Sequence, residues 1–192
     1  QSVLVILIAG VVGCAAAWAT TYTVDPDHTT VEFKIRHVFS YVRGTFNEFE
    51  GTFEYVPDDP EEWKTSGSIK AASIDTRLAP RDNHLRSKDF FDVDIYPTIR
   101  FKSTQVTDAT PTSAKVHGLL TIHGIERLVV LDVAIHGVAK DPWGNVRAGL
   151  TATTTINRKD FALTWNQALE TGQLLVGEEV EITVEVEGIA QN

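Results

Sequence analysis

From Tyr22 onward, hydrophobic and polar residues alternate with a period of two many times over, and no long stretch repeats at helical spacing. Val31, Phe33 and Ile35 alternate with Glu32, Lys34 and Arg36, and Phe53 and Tyr55 with Thr52 and Glu54. Val116, Gly118, Leu120 and Ile122 share one phase, and Val129, Leu131, Val133 and Ile135 another. Near the C-terminus, Val180, Ile182, Val184 and Val186 lie on one face, with Glu179, Glu181, Glu185 and Glu187 on the other. A strand written this way holds one face in a core and the other in water. Its acidic side reads most simply as a solvated, aggregation-resistant surface. Turn formers at residues 57–60, 108–111 and 141–145 separate the runs, and His123-Gly124 reads as a hairpin between two strands. The spacing predicts eight or nine consecutive antiparallel strands without βαβ alternation or an internal repeat. That is an all-β sandwich or a closed barrel.

Residues 80–88 break the alternation and predict one short helix between strands. Pro80 suits a helix start, Asp82 the first turn, and Arg86 and Lys88 the last. Phe90 and Phe91 would pack it back onto the sheet. Arg81, His84 and Lys88 fall at i, i+3 and i+7, one helical face. Beside Leu85, Phe90 and Phe91, that face could receive the head group of an amphiphile. On spacing alone, a solvated surface helix with an Asp82–Arg86 pair at i, i+4 is the plainer reading.

Residues 3–19 carry no charge and consist almost wholly of Val, Leu, Ile, Ala and Gly. They end in Ala17-Trp18-Ala19, the small-x-small pattern of a signal-peptidase site, which predicts an export signal over 1–19 and a folded domain over 20–192. Val11-Val12-Gly13-Cys14 offers an alternative, a lipoprotein signal that would anchor the protein through Cys14. A permanent membrane span needs about twenty apolar residues, for which this stretch is marginal. Each reading puts the domain outside the inner membrane, in the periplasm or secreted.

Composition narrows the function. The chain has 192 residues, 43% of them hydrophobic and 22% charged, enough to bury a sizeable core. One cysteine excludes an intrachain disulfide framework and a cysteine-rich zinc site. A net charge of −9 argues against nucleic acid as a partner and against adsorption to an anionic membrane. What remains is an acidic single domain that handles something small, neutral or apolar.

Catalytic motifs are not signalled. There is no nucleophile elbow, P-loop, dinucleotide fingerprint or metalloprotease helix, and no carboxylate pair stands out. Of six histidines, His117 and His123 share a strand face but lie about 20 Å apart along it. His37 and His136 could converge with others in three dimensions; ordinary half-buried histidines are the plainer reading. No metal or catalytic cofactor is expected. Phe33, Phe39, Tyr41, Phe46, Phe49, Phe53 and Tyr55 crowd into the first strands and their hairpin. Such a face is usually core, but a barrel of about eight strands can keep an inner cavity for one apolar ligand. Ala148 and Ala152, with Gly149 on the other face, would leave room beside these rings.

Several motifs resemble the YceI-like family of polyisoprenoid-binding periplasmic proteins. Tyr22-Thr23-Val24-Asp25, then His28 to Phe33, is similar to the family's opening strands; Ile35-Arg36-His37, Val42 to Phe46 and Phe49-Glu50-Gly51 are similar to its second signature. The run from Arg81 to Phe91 is the most specific block, followed by Tyr96-Pro97 and Ile99-Arg100-Phe101. Gly118 to Gly124, Arg158-Lys159-Asp160-Phe161 and Val176 to Val180 also fit. Ala162 departs from the pattern, where glycine would follow Asp160-Phe161.

The resemblance implies an extended, lipocalin-like antiparallel β-barrel filled by a long isoprenoid lipid, a polyprenyl phosphate or an isoprenoid quinone such as ubiquinone, with no established catalytic residues. Candidate contacts for the tail are then Phe33, Ile35, Phe46, Phe53 and Leu85, with Phe90, Phe101, Leu120 and Trp165. Arg81 and His84 become candidates for the head group or a lid, and His37 could lie near either end of the barrel. The expected role is binding, sequestration or transport of the lipid, and the ligand should co-purify. One alternative is a lipid-modifying enzyme using histidines at the barrel mouth. Another is a surface carbohydrate module, which needs a row of exposed aromatics; Trp63 and Trp143 look loop-borne. An isologous homodimer could shield a barrel mouth.

Overall fold

The computed structural model describes residues 19–56 and 59–191. The expected export segment therefore lies outside the described residues except for Ala19, and Cys14 lies outside with it. The strands are β1 (Thr20–Val24), β2 (Thr30–His37), β3 (Ser40–Phe46), β4 (Phe49–Tyr55), β5 (Lys64–Lys70) and β6 (Ile74–Asp75). The single α-helix among the described residues, α1 (Ala79–Arg86), precedes β7 (Thr98–Thr107), β8 (Ser113–Ile122), β9 (Ile125–Lys140), β10 (Val146–Asn157) and β11 (Val176–Ala190).

Eight strands run antiparallel in the order β1-β4-β5-β7-β8-β9-β10-β11, and β11 returns to β1 through Tyr22 opposite Ala190 and Val24 opposite Gly188. The barrel is closed, so these strands carry no open edge. The rest of the same β11 edge pairs with β2, placing Ile182 opposite Phe33, and the sheet continues to β3 and β6. The structure thus decides for the barrel over the sandwich. Two of the eleven strands among the described residues carried little signal: β6 is only two residues long, and β5 (KTSGSIK) is almost wholly polar. Its neighbours β4 and β7 hold β5 in place through backbone pairing on both sides.

Turn chemistry closes the hairpins. His123 (φ 51°) and Gly124 (φ 71°) both adopt left-handed conformations, the two-residue turn whose twist matches the strands it joins. Between β9 and β10, the Asp141 carboxylate accepts hydrogen bonds from the backbone of Trp143 (3.0 Å) and Asn145 (2.8 Å).

The helix starts at Ala79 with the expected Pro80 in its first turn, but its polar residues act differently from the expectation. Asp82 is buried and accepts hydrogen bonds from the Thr76 backbone (2.9 Å) and hydroxyl (2.5 Å). Arg86 donates to the carbonyls of Ala72 and Ile74, both at 2.7 Å. The expected solvent-facing Asp82–Arg86 pair does not form, because both side chains tie α1 to the segment before it. Lys88 lies beyond the helix end. Phe90 and Phe91 do pack inward, Phe91 edge-on to Phe46 with ring centroids 5.8 Å apart.

Candidate functional site

The closed barrel is packed solid only in part. Around Ile74, Ala71, Phe46, Ile99, Ile122 and Phe161 the side chains form a continuous core. Val129 of β9 and Val180, Ile182 and Val184 of β11 pack against this core yet stay only half-buried, as does Leu131, since these side chains also face a cavity of about 660 Å³ that Phe46, Ile74, Ile99 and Ile122 border as well. The lining is overwhelmingly apolar, and the volume is that of a small-molecule site.

Three glycines help to keep the space open. A Cβ on Gly44 would lie 2.5 Å from the Phe33 ring, on Gly118 2.3 Å from Phe101, and on Gly188 2.5 Å from Phe53. Each phenylalanine ring thus packs against a glycine of an adjacent strand or its neighbour, in space that a side chain there would fill. In β10 the inward Ala148 and Ala152 add little bulk of their own.

All nine residues proposed as tail contacts line this cavity: Phe33, Ile35, Phe46, Phe53, Leu85, Phe90, Phe101, Leu120 and Trp165. So do His37, Arg81 and His84. His84 sits edge-on to Phe90 (5.1 Å) and Trp165 (4.8 Å), with Nε2 3.0 Å from an Asp89 carboxylate oxygen. This aromatic group stands between α1 and the loop after β10. Arg81 is less available than its helical face suggested: Nε donates to the Thr76 hydroxyl (2.7 Å) and Nη2 to the Thr76 carbonyl (2.8 Å).

The other four histidines do not line the cavity. His28 meets Asp25 at 2.8 Å, His117 the Thr107 hydroxyl at 3.0 Å and His136 the Thr151 hydroxyl at 2.8 Å. His123 packs against Tyr96. Of the six histidines, only His37 and His84 therefore reach the cavity. No row of exposed aromatics forms among the described residues. Trp143 is 82% exposed, but Trp63 lines the cavity, packs on Tyr55 at 5.0 Å and donates Nε1 to the Val56 carbonyl at 2.5 Å.

At the start of β10, Arg147 gathers three carboxylates: Asp25 (2.6 Å), Asp141 (2.9 Å) and Glu187 (3.2 Å). Asp25, His28 and Glu187 bring three ligand-type atoms within 4.8 Å of one another. The Arg147 guanidinium already occupies the place that a cation would take beside Asp25 and Glu187. Its hydrogen bonds hold the Asp25 and Asp141 carboxyls below the usual carboxylate range.

Sequence reasoning missed Arg158, at the opposite end of β10. It is 3% exposed and lines the cavity, yet it appeared in the sequence only as part of a motif. It follows β10 in a short 3-10 turn (Arg158–Phe161), capped by the Asn157 side chain, which accepts from the Lys159 backbone at 2.9 Å.

A model of the YceI-like domain matches residues 22–188. The chain belongs to the YceI-like family. A UPF0312 protein from Pseudomonas savastanoi pv. phaseolicola is 41% identical over 150 residues, covering 77% of this chain and 78% of that relative. The crystal structure of the Campylobacter jejuni YCEI protein superposes with a TM-score of 0.71 at 30% identity, covering 82% of this chain and 90% of that one. A polyisoprenoid binding domain from Saccharophagus degradans has the same fold, with a TM-score of 0.66 at 13% identity over 88% of this chain and 98% of that one. Among the described residues, no helix is long and apolar enough to cross a membrane.

Proposed function

We propose that this protein binds a long isoprenoid lipid inside its barrel and carries it through the aqueous space outside the inner membrane. The observation that carries this reading is the apolar cavity of about 660 Å³ enclosed by a closed barrel. Membership of the YceI-like family supports it, as does the shared fold with a domain described as polyisoprenoid binding. The mechanism is burial without chemistry. A tail of eight isoprene units has about forty carbons, and burial at about 0.8 kcal/mol per methylene-sized group amounts to on the order of 30 kcal/mol gross. Non-covalent affinity saturates near 18–21 kcal/mol, and ordering a flexible tail offsets much of the gross value. Even so, escape into bare water is slow, and exchange needs a membrane or a partner to receive the chain. The uncharged residues 3–19 support export, either as a free protein or as one anchored through Cys14.

The test is to express the full chain, purify it without detergent, and compare native with denaturing mass spectra. The expected result is a discrete extra mass that leaves on denaturation and extracts into organic solvent with an isoprenoid fragmentation pattern. A well-folded sample with a bare polypeptide mass would overturn the carrier reading.

A further inference from the structure

Phe39 is 86% exposed, more than any other large apolar residue described. It sits at the tip of the β2–β3 hairpin, two residues beyond His37, which lines the cavity. The neighbouring Val38 donates its backbone N–H to the Leu175 carbonyl at 3.0 Å. Leu175 lines the cavity as well, and Leu174 before it is exposed. The tip therefore stands at one end of the lumen, with the exposed ring of Tyr41 on its flank.

The charges on this hairpin run against those of the chain. Residues 33–46 contain Lys34, Arg36 and Arg43 and no acidic residue, in a protein of 17 basic and 26 acidic residues. Arg36 and Arg43 are exposed, and neither enters an ion pair among the described residues. Lys34 lies directly across the strand pair from Arg43, and Arg36 from Tyr41. Like charges set opposite each other weaken a strand pair, so the stability of the sheet does not account for them. Glu181 of β11 offsets Lys34 at 2.7 Å, but no such partner reaches Arg43. The sheet ends beside it, since β6 pairs only with Thr45 and Phe46 of β3.

A projecting phenylalanine and a tyrosine flanked by cations suit a lipid surface. The rings enter the interface between head groups and acyl chains, and the cations meet phosphates. A protein partner of ordinary interface size needs a broad patch, whereas these groups project from a two-residue turn. Trp143 is nearly as exposed, at the β9–β10 turn, but it stands at the opposite end of β10 from Asn157, where β11 meets the end of β2. The cation near it, Arg147, is shared by three carboxylates. Charge thus separates the two tips. The net charge of −9 weighs against adsorption of the surface as a whole. At physiological salt, however, charges are largely screened beyond about 8 Å, so a bilayer meets the tip's own charge.

We propose that the β2–β3 hairpin is the docking site for an anionic phospholipid bilayer, with Phe39 seated at the acyl boundary and Arg36 and Arg43 on lipid phosphates. One end of the lumen is then held against the membrane, where an apolar molecule can pass between bilayer and barrel without crossing water. Docking itself needs no cargo, so it stands or falls apart from the carrier reading above.

The test is co-sedimentation of the full-length protein with phosphatidylcholine vesicles, with and without phosphatidylglycerol. Residues 3–19 are uncharged, so what they add is the same on both vesicles. Binding is expected to be about twentyfold tighter with phosphatidylglycerol, at about fivefold for each free arginine. Arg36→Gln with Arg43→Gln is expected to abolish that preference. Phe39→Ser is expected to weaken binding by about tenfold, while Trp143→Ser stays within about twofold of wild type. Thermal melts matching wild type show that these surface variants are folded. Hydrogen exchange on the wild-type protein, which needs no variant, should slow at residues 38–43 on the anionic vesicles and not at 141–145. Equal binding to both vesicles, a preference that survives in the folded double variant, or protection at 141–145 instead of the hairpin overturns the docking site. A doubled mass in solution with the hairpin protected in the absence of vesicles overturns it in favour of a second copy of the chain. No cargo is added at any step, so each of these failures leaves lipid carriage to the mass spectra.

Discussion

Replacing Gly118 by alanine tests whether glycines hold the cavity open. The added Cβ would lie 2.3 Å from the Cζ of Phe101 and 2.7 Å from the Lys102 carbonyl oxygen. Carbon atoms rest about 3.5–4.0 Å apart, so the ring must retreat by at least about 1.2 Å. Phe101 lines the cavity, so a ring pushed off Gly118 moves into the lumen. The Lys102 oxygen cannot swing, because it belongs to the backbone of β7. Overpacking of this kind costs about 1–3 kcal/mol, and the fixed carbonyl puts this site at about 2–3 kcal/mol. For a domain of this size that is a fall in Tm of about 4–12 °C. Thermal denaturation followed by circular dichroism measures it, and the neutral fluorescent probe N-phenyl-1-naphthylamine should bind the same variant more weakly. Gly149→Ala is the control: its Cβ would meet only the His136 Cβ, at an ordinary 3.6 Å, so its stability should stay within about 0.5 kcal/mol of wild type. Adding Phe101→Leu should restore part of the stability lost in Gly118→Ala, the coupling expected of two residues in contact. If Gly118→Ala melts within 1–2 °C of wild type and binds the probe equally well, the glycine-and-ring account of the cavity is wrong.

Two further outcomes follow from the loops. Ala162 sits at φ 58°, in left-handed geometry, where a side chain costs about 1–2 kcal/mol; Ala162→Gly should raise stability by about 1 kcal/mol in urea denaturation, and a loss would refute the strain. Arg147 lowers the pKa of Asp25 and Asp141 in the folded state, so what these carboxylates contribute is present above their unfolded value of about 3.9 and is lost as pH falls through the lowered folded values. Arg147→Gln should therefore melt below wild type at pH 7, with the gap narrowing below about pH 4; a gap that stays constant to pH 2 would contradict the linkage.

The strands were legible because their signal is local. Alternation at Val116 to Ile122 or at Val180 to Val186 follows from side chains pointing to opposite faces of a pleated chain, whatever the strand pairs with. The hairpin at His123-Gly124 is equally local, as is the proline in the first turn of α1. Motif resemblance then carried the barrel and a set of lining residues that alternation alone left undecided between packed core and open cavity.

What the strand phase could not give was the empty space, which depends on which glycine lies beneath which ring across the sheet. Phe53 covers Gly188 from 135 positions away in the chain, a distance over which no pattern of period two carries information. The ionic residues were decided in the same way. Asp25 and Arg147 are 122 positions apart and meet only because β1 closes the barrel onto β11 beside β10. Arg158 reads in the sequence as one more charge in a polar turn. Folding removes its water and surrounds it with neutral carbonyls, and only then does it become a buried cation that fastens the loop after β10 to β11. Local pattern determined which residues point inward; closure of the barrel determined which of them are left without a neighbour.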